Sequence, residues 1–196
     1  MSKPKIPPSR IVAYAAIAGI GAALDLATKS WIFGWLGFPD RQKPEYFLWN
    51  NVFSLTTSLN EGALFGFGQG FSFAFAMLSL LAVVFIAYWL FFSGAARDWM
   101  LTLTMGLITA GILGNLYDRL GLPHLNWPGS GERIYAVRDW LHFKINHVID
   151  WPVFNLADSF LVCGAALLFC YIWKTGGRKE ESAEEPVEVS RPAHSL

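Results

Sequence analysis

Residues 71–92 read FSFAFAMLSLLAVVFIAYWLFF, an apolar run without a charged residue. A helix needs about 20 predominantly apolar residues to cross the hydrocarbon core of a bilayer, and this run is long enough. We therefore predict that it forms a transmembrane helix. The chain as a whole agrees, because it is 54% hydrophobic and 15% charged, whereas soluble domains contain about 25% charged residues.

Three further runs, residues 11–36, 99–116 and 153–173, meet the same criterion. The first follows a basic start and could be a cleaved signal peptide. However, its apolar run resumes beyond Asp25, and a signal h-region is only about 7–15 residues long, so we predict a retained helix. The expected fold is all-α and integral to the membrane, with four transmembrane helices in one domain over residues 11–173.

The orientation in the membrane is suggested by the basic residues. Four spans leave both tails on one side, and these tails and the connection between the second and third spans are basic: Lys3, Lys5, Arg10, Arg97, Lys174, Arg178 and Lys179. The positive-inside rule then makes residues 1–10 and 174–196 cytoplasmic, and we expect the glutamate-rich second tail to be disordered. The opposite loops also contain basic residues, so this count does not decide the orientation.

Two segments are expected on the extracytoplasmic side. Residues 46–59, YFLWNNVFSLTTSL, are rich in aromatic and β-branched residues around an Asn-Asn turn signal, which predicts a small β-hairpin or sheet. Residues 117–152 include a Pro- and Gly-rich stretch at 123–131. We expect the hairpin and part of this stretch to cover a site, because closure would exclude water from it.

Ionisable and amide side chains gather towards one end of the predicted spans. Such groups are costly at membrane depth and are functional candidates. Taken singly, each has an ordinary explanation as an ion pair, a loop residue or a helix cap, but these explanations leave the gathering at one membrane face unexplained. The candidates are Asp25 with Lys29, Asn60 with Gly62, Asn115 with Asp118 and Arg119, Asp139, and Asn155 with Asp158.

Paired carboxylates are the chemistry that these residues support best. The chain contains no Gly-x-Ser-x-Gly and no His-Glu-x-x-His motif. Cys163 and Cys170 lie seven apart in an apolar run, about 10 Å along one helix, which is too far for a disulfide. Two neighbouring aspartates can share a proton, so that one acts as acid and the other as base on water. An ion pathway and a non-catalytic scaffold are the alternatives.

The motifs in this order resemble the lipoprotein signal peptidase (signal peptidase II) family of membrane aspartyl endopeptidases. They comprise Asp25 with Thr28-Lys29, Asn60-x-Gly62-Ala63-x-Phe65, Gly114-Asn115-x-x-Asp118-Arg119, Asp139-Trp140, and Phe154-Asn155-x-Ala157-Asp158. The resemblance covers residues 11–173. It implies removal of the signal peptide from diacylglyceryl-modified prolipoproteins, with cleavage before the lipidated cysteine.

The resemblance also implies residue roles and partners. Asp139 and Asp158 would be the catalytic dyad, Asn60, Gly62, Asn115, Arg119 and Asn155 would position the substrate or support the dyad, and Asp25, Lys29 and Asp118 would be structural. No metal or cofactor is expected. The expected partners are lipidated prolipoproteins and membrane lipids, not nucleic acid. The expected protein is a monomer in the bacterial inner membrane, with its site near the extracytoplasmic face.

The sequence departs from the family pattern before the first catalytic aspartate. Residues 121–138 form a longer link than is usual, and Asp139-Trp140 stands where the family more often has Asp-Phe. Asp150-Trp151 offers the same dipeptide nearer to Asp158. We favour Asp139, because the residues that follow it resemble the family's usual extension before Phe154-Asn155.

Overall fold

The computed structural model describes residues 5–39, 45–62, 68–145 and 148–183, with only the backbone for 176–183. In these residues four helices are long and apolar enough to cross a membrane. They are α1 (Pro8–Leu36), α2 (Ser72–Phe92), α3 (Trp99–Arg119) and α4 (Leu156–Ala183). The prediction of four helices long and apolar enough to span a membrane is confirmed.

The helix ends follow local chemistry. Helix α1 starts at Pro8, since a proline at the first helical position sacrifices no intrahelical hydrogen bond. The Asp98 carboxylate caps α3 by accepting the Leu101 N–H at 3.1 Å. Helix α4 continues to Ala183, past the predicted end at 173, through residues that include good helix formers such as Lys, Arg and Glu. The tail that was expected to be disordered, residues 174–196, is thus helical as far as Ala183, and residues 184–196 lie outside the described residues.

A small antiparallel sheet accompanies the helices. Its strands, in spatial order, are β1 (Glu45–Trp49), β2 (Phe53–Asn60), β3 (Val137–Ile145) and β4 (Ile149–Asp150). Strands β1 and β2 are the predicted hairpin, with Asn51 at φ 59° in the turn. Strand β3 pairs with β2 from Phe53↔Phe143 to Asn60↔Val137. Strands β3 and β4 were not predicted.

Helix α3 is the centre of the bundle and approaches α1 and α4 through glycines. A Cβ added at Gly111 would lie 2.4 Å from the Ala157 carbonyl oxygen, and one at Gly106 would lie 2.9 Å from Ile17. Small residues allow this approach of helices in membranes. Large apolar side chains on the outer faces of α2 and α4, such as Phe85 and Phe169, are exposed, as expected for lipid contact.

The insertion before β3 forms a compact loop at the C-terminal end of α3. Its two sides are joined by hydrogen bonds from the Ile134 N–H to the Leu125 carbonyl at 2.9 Å and from the Trp127 N–H to the Glu132 carbonyl at 2.8 Å. The Trp127 ring packs edge-on against Phe38, just after α1, with ring centroids 5.9 Å apart. The loop therefore lies beside the end of α1.

Candidate active site

The described candidate residues meet at one end of the bundle. Helix α3 ends there and α4 begins there, so the last turns of α3 lie beside the first turn of α4. Strand β3 carries Asp139 to the same place, and the end of β2 carries Asn60. Residues far apart in sequence thus form one polar cluster, to which α1 contributes an aspartate and a lysine.

Asn155 connects the two candidate catalytic carboxylates. Its Nδ2 donates to Asp139 Oδ1 at 2.5 Å, and its backbone N–H donates to Asp158 Oδ2 at 3.2 Å. In return, Asn155 Oδ1 accepts the backbone N–H of Asp158 at 2.9 Å. This reciprocal pair resembles a capping box at the start of α4, so the explanation of this motif as a helix cap holds, and its catalytic role stays a prediction.

Asp139 lies in a strongly desolvated position. Its exposed fraction is 2%, and burial, together with the negative charge of Asp158, raises the pKa of Asp139 to about 8. Hydrogen bonds from Asn155 and Asn60 and the charge of Lys29 oppose this rise. The raised pKa of Asp139 favours its protonated form at neutral pH, while Asp158, on the cavity wall, is half-buried.

Asn115 orients Asp158 from the α3 side. Its Nδ2 donates to Asp158 Oδ1 at 2.8 Å. Its own Oδ1 accepts from Lys29 Nζ at 2.9 Å and from Asn155 Nδ2 at 3.1 Å. These two donors fix which way the Asn115 amide faces, so that its nitrogen is directed at the carboxylate.

Beneath the pair lies a buried ionic cluster. Lys29 Nζ is 2.7 Å from Asp25 Oδ2 and 3.2 Å from Asp118 Oδ2, and these three side chains are fully buried. Asp25 Oδ1 also accepts the Ala157 N–H at 2.9 Å, which ties α1 to the start of α4. Gly114 permits this arrangement, because a Cβ there would lie 2.4 Å from Asp25 Oδ2.

Arg119 joins α3 to the segment after β2. Its Nη2 donates to the Gly62 carbonyl at 3.0 Å, and the Gly62 N–H donates to Asn60 Oδ1 at 3.0 Å. Its guanidinium lies over the Phe75 ring, 5.6 Å from the centroid, and its Nε has no hydrogen-bond partner among the described residues. Ala63 and Phe65 of the same motif lie outside the described residues.

Asp150 occupies a different place. Its side chain is 62% exposed, and its carboxylate contacts His142 Nε2 at 2.9 Å and Lys144 Nζ at 3.1 Å. The hydrogen bond from His142 and that from Lys144 lower the pKa of Asp150. The structure therefore brings Asp139, rather than Asp150, to Asp158.

A cavity of about 780 Å³ opens onto the two carboxylates. Asn60, Asn115, Arg119, Asp139 and Asp158 form its polar wall. A second wall comes from α2, α3 and α4 and is mainly apolar: Ser79, Ile112, Leu161, Val162 and Cys163. Strand β2 lines the cavity, whereas the described loop at 121–136 does not, so a covering role for that loop stays a prediction.

Arg138 is the site residue that sequence reasoning missed. It is 4% exposed and contacts Asp118 through its backbone and its guanidinium. In the sequence, Arg138 is a cation directly before a candidate catalytic aspartate, and that position could have marked it as a candidate. Without a predicted strand there, nothing indicated that it would point into the bundle.

The arrangement supports acid–base chemistry on water. One carboxyl with a raised pKa beside a second carboxylate supplies an acid and a base. Within the described residues, no group of three or more His, Cys, Asp and Glu side chains could hold a metal ion. Fold and site together define a multi-pass membrane hydrolase of the aspartic type.

Comparison with known proteins specifies the family. The family model described as Signal peptidase (SPase) II matches residues 17–174. The chain belongs to the signal peptidase II family of bacterial membrane peptidases.

The relatives and solved structures agree with this assignment. Lipoprotein signal peptidase of Rhodopirellula baltica is 39% identical over 96% of this chain and 89% of its own length. That of Tropheryma whipplei is 31% identical over 84% of this chain and 96% of its own length. A solved bacterial membrane enzyme has the same fold, with a TM-score of 0.70 and 24% identity over 96% of this chain and 99% of its own.

Proposed function

We propose that Asp139 and Asp158 are the catalytic dyad of an endopeptidase that removes the signal peptide from diacylglyceryl-modified prolipoproteins, cutting before the lipidated cysteine. The observation that carries this proposal is the Asn155 side chain and backbone holding both carboxylates, at 2.5 and 3.2 Å, where both line one cavity. The relatives named lipoprotein signal peptidase support the substrate class.

The dyad works as a pair that shares one proton. The ionised carboxylate takes a proton from water as the water attacks the scissile carbonyl carbon. The protonated carboxyl donates its proton to the carbonyl oxygen, which gives a tetrahedral intermediate. The carboxyl that took the proton from water then passes it to the amide nitrogen as the C–N bond breaks, and a hydroxyl of the intermediate returns its proton to the other carboxylate, so that the dyad again holds one shared proton. A pKa of about 8 for Asp139 keeps one proton on the pair at neutral pH, and the coupled pair titrates as a unit.

The surrounding residues hold the pair and the peptide. Asn115 and Asn155 orient the carboxylates through the hydrogen bonds already described. Asn60 and Arg119 line the cavity, and the Nε of Arg119, which has no hydrogen-bond partner among the described residues, can donate to a substrate carbonyl oxygen. Asp25, Lys29 and Asp118 hold α1, α3 and α4 together below the site.

The membrane setting fits a lipidated substrate. The apolar part of the wall, Ile112 of α3 with Leu161 and Val162 of α4, can accept acyl chains or the apolar signal peptide, because burying such groups is favourable. We place the site near the extracytoplasmic face of the inner membrane and both tails in the cytoplasm, with a monomer as the working unit. Arg10 and Arg97, at the other end of the bundle, support this orientation.

The test is cleavage of a diacylglyceryl-modified prolipoprotein by purified protein in detergent. We expect Asp139→Asn and Asp158→Asn each to lose turnover by at least about 10³-fold, since either change removes the acid–base pair. Asp150→Asn is the matched control, because it removes an aspartate from the neighbouring exposed strand, and it should retain wild-type turnover.

Folding must be shown separately for each variant by its thermal unfolding midpoint. A dead Asp150→Asn with an active Asp139→Asn would keep the peptidase and overturn the dyad assignment. An inert wild type, under conditions where a Rhodopirellula baltica relative cleaves, would reject the peptidase and favour the ion pathway or the scaffold.

A further inference from the structure

Arg138 precedes Asp139 on β3 and points to the other side of the strand, because successive side chains of a strand alternate. Both residues are nonetheless buried, with exposed fractions of 4% and 2%. Asp139 faces the cavity, whereas Arg138 points towards α1 and α3. A buried arginine needs hydrogen-bonding or charged partners. The role of Arg138 is inferred from these partners.

Asp118 is the main partner of Arg138. Asp118 Oδ2 accepts the Arg138 backbone N–H at 3.0 Å. Asp118 Oδ1 accepts from Arg138 Nε at 3.0 Å and lies 2.9 Å from its Nη2. The Asp118 carboxylate thus binds both the side chain and the main chain of Arg138. These contacts fix the position of β3 relative to the C-terminal end of α3.

Helix α1 provides the second anchor. Arg138 Nη1 donates to Ser30 Oγ at 3.3 Å, and the guanidinium lies 6.0 Å from the centre of the Phe33 ring. The segment carrying Asp139 is therefore held against two helices, independently of Asn155. A lysine could supply the charge at this position but not the planar fork of donors.

Arg138 also completes the charge balance around the dyad. Asp118 is shared between Arg138 and Lys29, and Lys29 in turn donates to Asn115, which orients Asp158. With one proton on the dyad, three positive side chains face three negative charges. The groups concerned come from α1, α3, α4 and β3: Asp25, Lys29, Asp118, Arg119, Arg138, Asp139 and Asp158.

We propose that Arg138 is a positioning residue for the dyad, which fixes the backbone that presents Asp139 and supplies the positive charge that balances Asp118. This inference rests on the proposed function. Arg138 itself does not line the cavity, so it acts through Asp118 and β3 rather than by touching the substrate.

The test compares Arg138→Gln with Arg138→Lys. We expect Arg138→Gln to lower kcat by about 10²-fold, the effect of a small misplacement of a catalytic group, with KM nearly unchanged. Both limbs of its pH–rate profile should move up by about half a unit, since the loss of a nearby positive charge favours the protonated carboxyl. Arg138→Lys should recover the wild-type pH profile and part of kcat.

A titration without substrate separates this inference from the proposed function. The infrared band of a protonated carboxyl, assigned to Asp139 by its loss in Asp139→Asn, should disappear at higher pH in Arg138→Gln than in wild type or Arg138→Lys. This readout needs no turnover, so it tests the role of Arg138 even if wild type fails to cleave the prolipoprotein.

Lys144→Gln is the matched control, because it removes a cation from the same strand at a half-exposed position outside the cavity. It should leave kcat, the pH profile and the infrared titration unchanged. A lower unfolding temperature in both Arg138 variants, with wild-type titration and kcat, would reduce Arg138 to a structural residue and overturn the inference.

Discussion

Asn155 does three things with one side chain and its own backbone. It caps α4 through Asp158, donates to Asp139, and donates to Asn115. The same side chain therefore starts the helix and sets the relative position of two carboxylates. Such sharing makes the site rigid, because a shift of α4 would have to move both acids together.

The protonation of Asp139 predicts the alkaline limit of activity. Its pKa of about 8 means that the shared proton is lost as the pH rises through that value, leaving two carboxylates and no acid. We expect kcat/KM to be maximal below pH 8 and to fall about tenfold per unit above it, since kcat/KM reports the pKa values of the free enzyme. The measurement is kcat/KM for lipidated substrate between pH 5 and 10.

An unfolding curve at each pH is the control for that profile. If kcat/KM stayed constant to pH 10 with the fold intact, Asp139 would not be the group that carries the essential proton.

Most candidate site residues stand out in the sequence because each is a polar residue in or beside an apolar run, where such residues are unexpected. Asp25 and Asn115 stand out in this way. Arg138 does not, because its surroundings look like an ordinary polar loop. Its partner, Asp118, lies on another element, and a pairing between elements leaves no local pattern.

Among the elements, α3 combines the closest packing with the most site residues. Its glycines bring α1 and α4 close enough for Lys29 to reach Asn115 and for Asp25 to reach the Ala157 N–H. Packing of the helices and geometry of the site are therefore coupled through this one helix.

Gly114→Ala should damage both stability and activity. The new Cβ would meet Asp25 Oδ2 at 2.4 Å and Ala157 Cβ at 3.1 Å, which forces α1 or α4 to move. Overpacking of this kind costs about 1–3 kcal/mol. We expect a lower unfolding temperature in detergent together with a reduced kcat.

Gly19→Ala is the comparison variant, since Gly19 is also inside a helix but has nothing within 4 Å of an added Cβ. It should be neutral or slightly stabilising. Equal unfolding temperatures for the two variants would contradict the close approach at Gly114.

Helices and the first hairpin were predictable, but the second pair of strands was not. Residues 46–59 have a β-rich composition and a turn signal. Strand β3 begins with four successive buried residues, Val137–Trp140, two of them ionisable, so the alternation that marks a half-buried strand is missing. Both faces of β3 are buried there. Asp139 lies on the face towards the cavity, and Arg138 lies on the face towards α1 and α3.

In the molecule as a whole, the candidate site residues lie together at one end of the bundle. The loop between α2 and α3 lies at the other end, with Arg97 and the α3 cap Asp98. This polarity gives the proposed orientation a direct test.

A cysteine at the site end should be accessible from outside the cell. In a background with Cys163→Ala and Cys170→Ala, we expect Ser130→Cys, in the exposed insertion loop, to react with a membrane-impermeant maleimide in intact spheroplasts. Ser93→Cys, exposed between α2 and α3, should react only after lysis. The opposite labelling pattern would invert the orientation.

The apolar wall of the cavity, built from transmembrane helices, has a consequence for kinetics. An enzyme that meets a membrane-bound substrate within the bilayer plane responds to the mole fraction of substrate in that surface, not to its concentration in the volume. Added detergent would dilute the substrate among empty micelles and slow the reaction at constant bulk concentrations. Rate constants for this chain are therefore comparable only at a stated ratio of substrate to amphiphile.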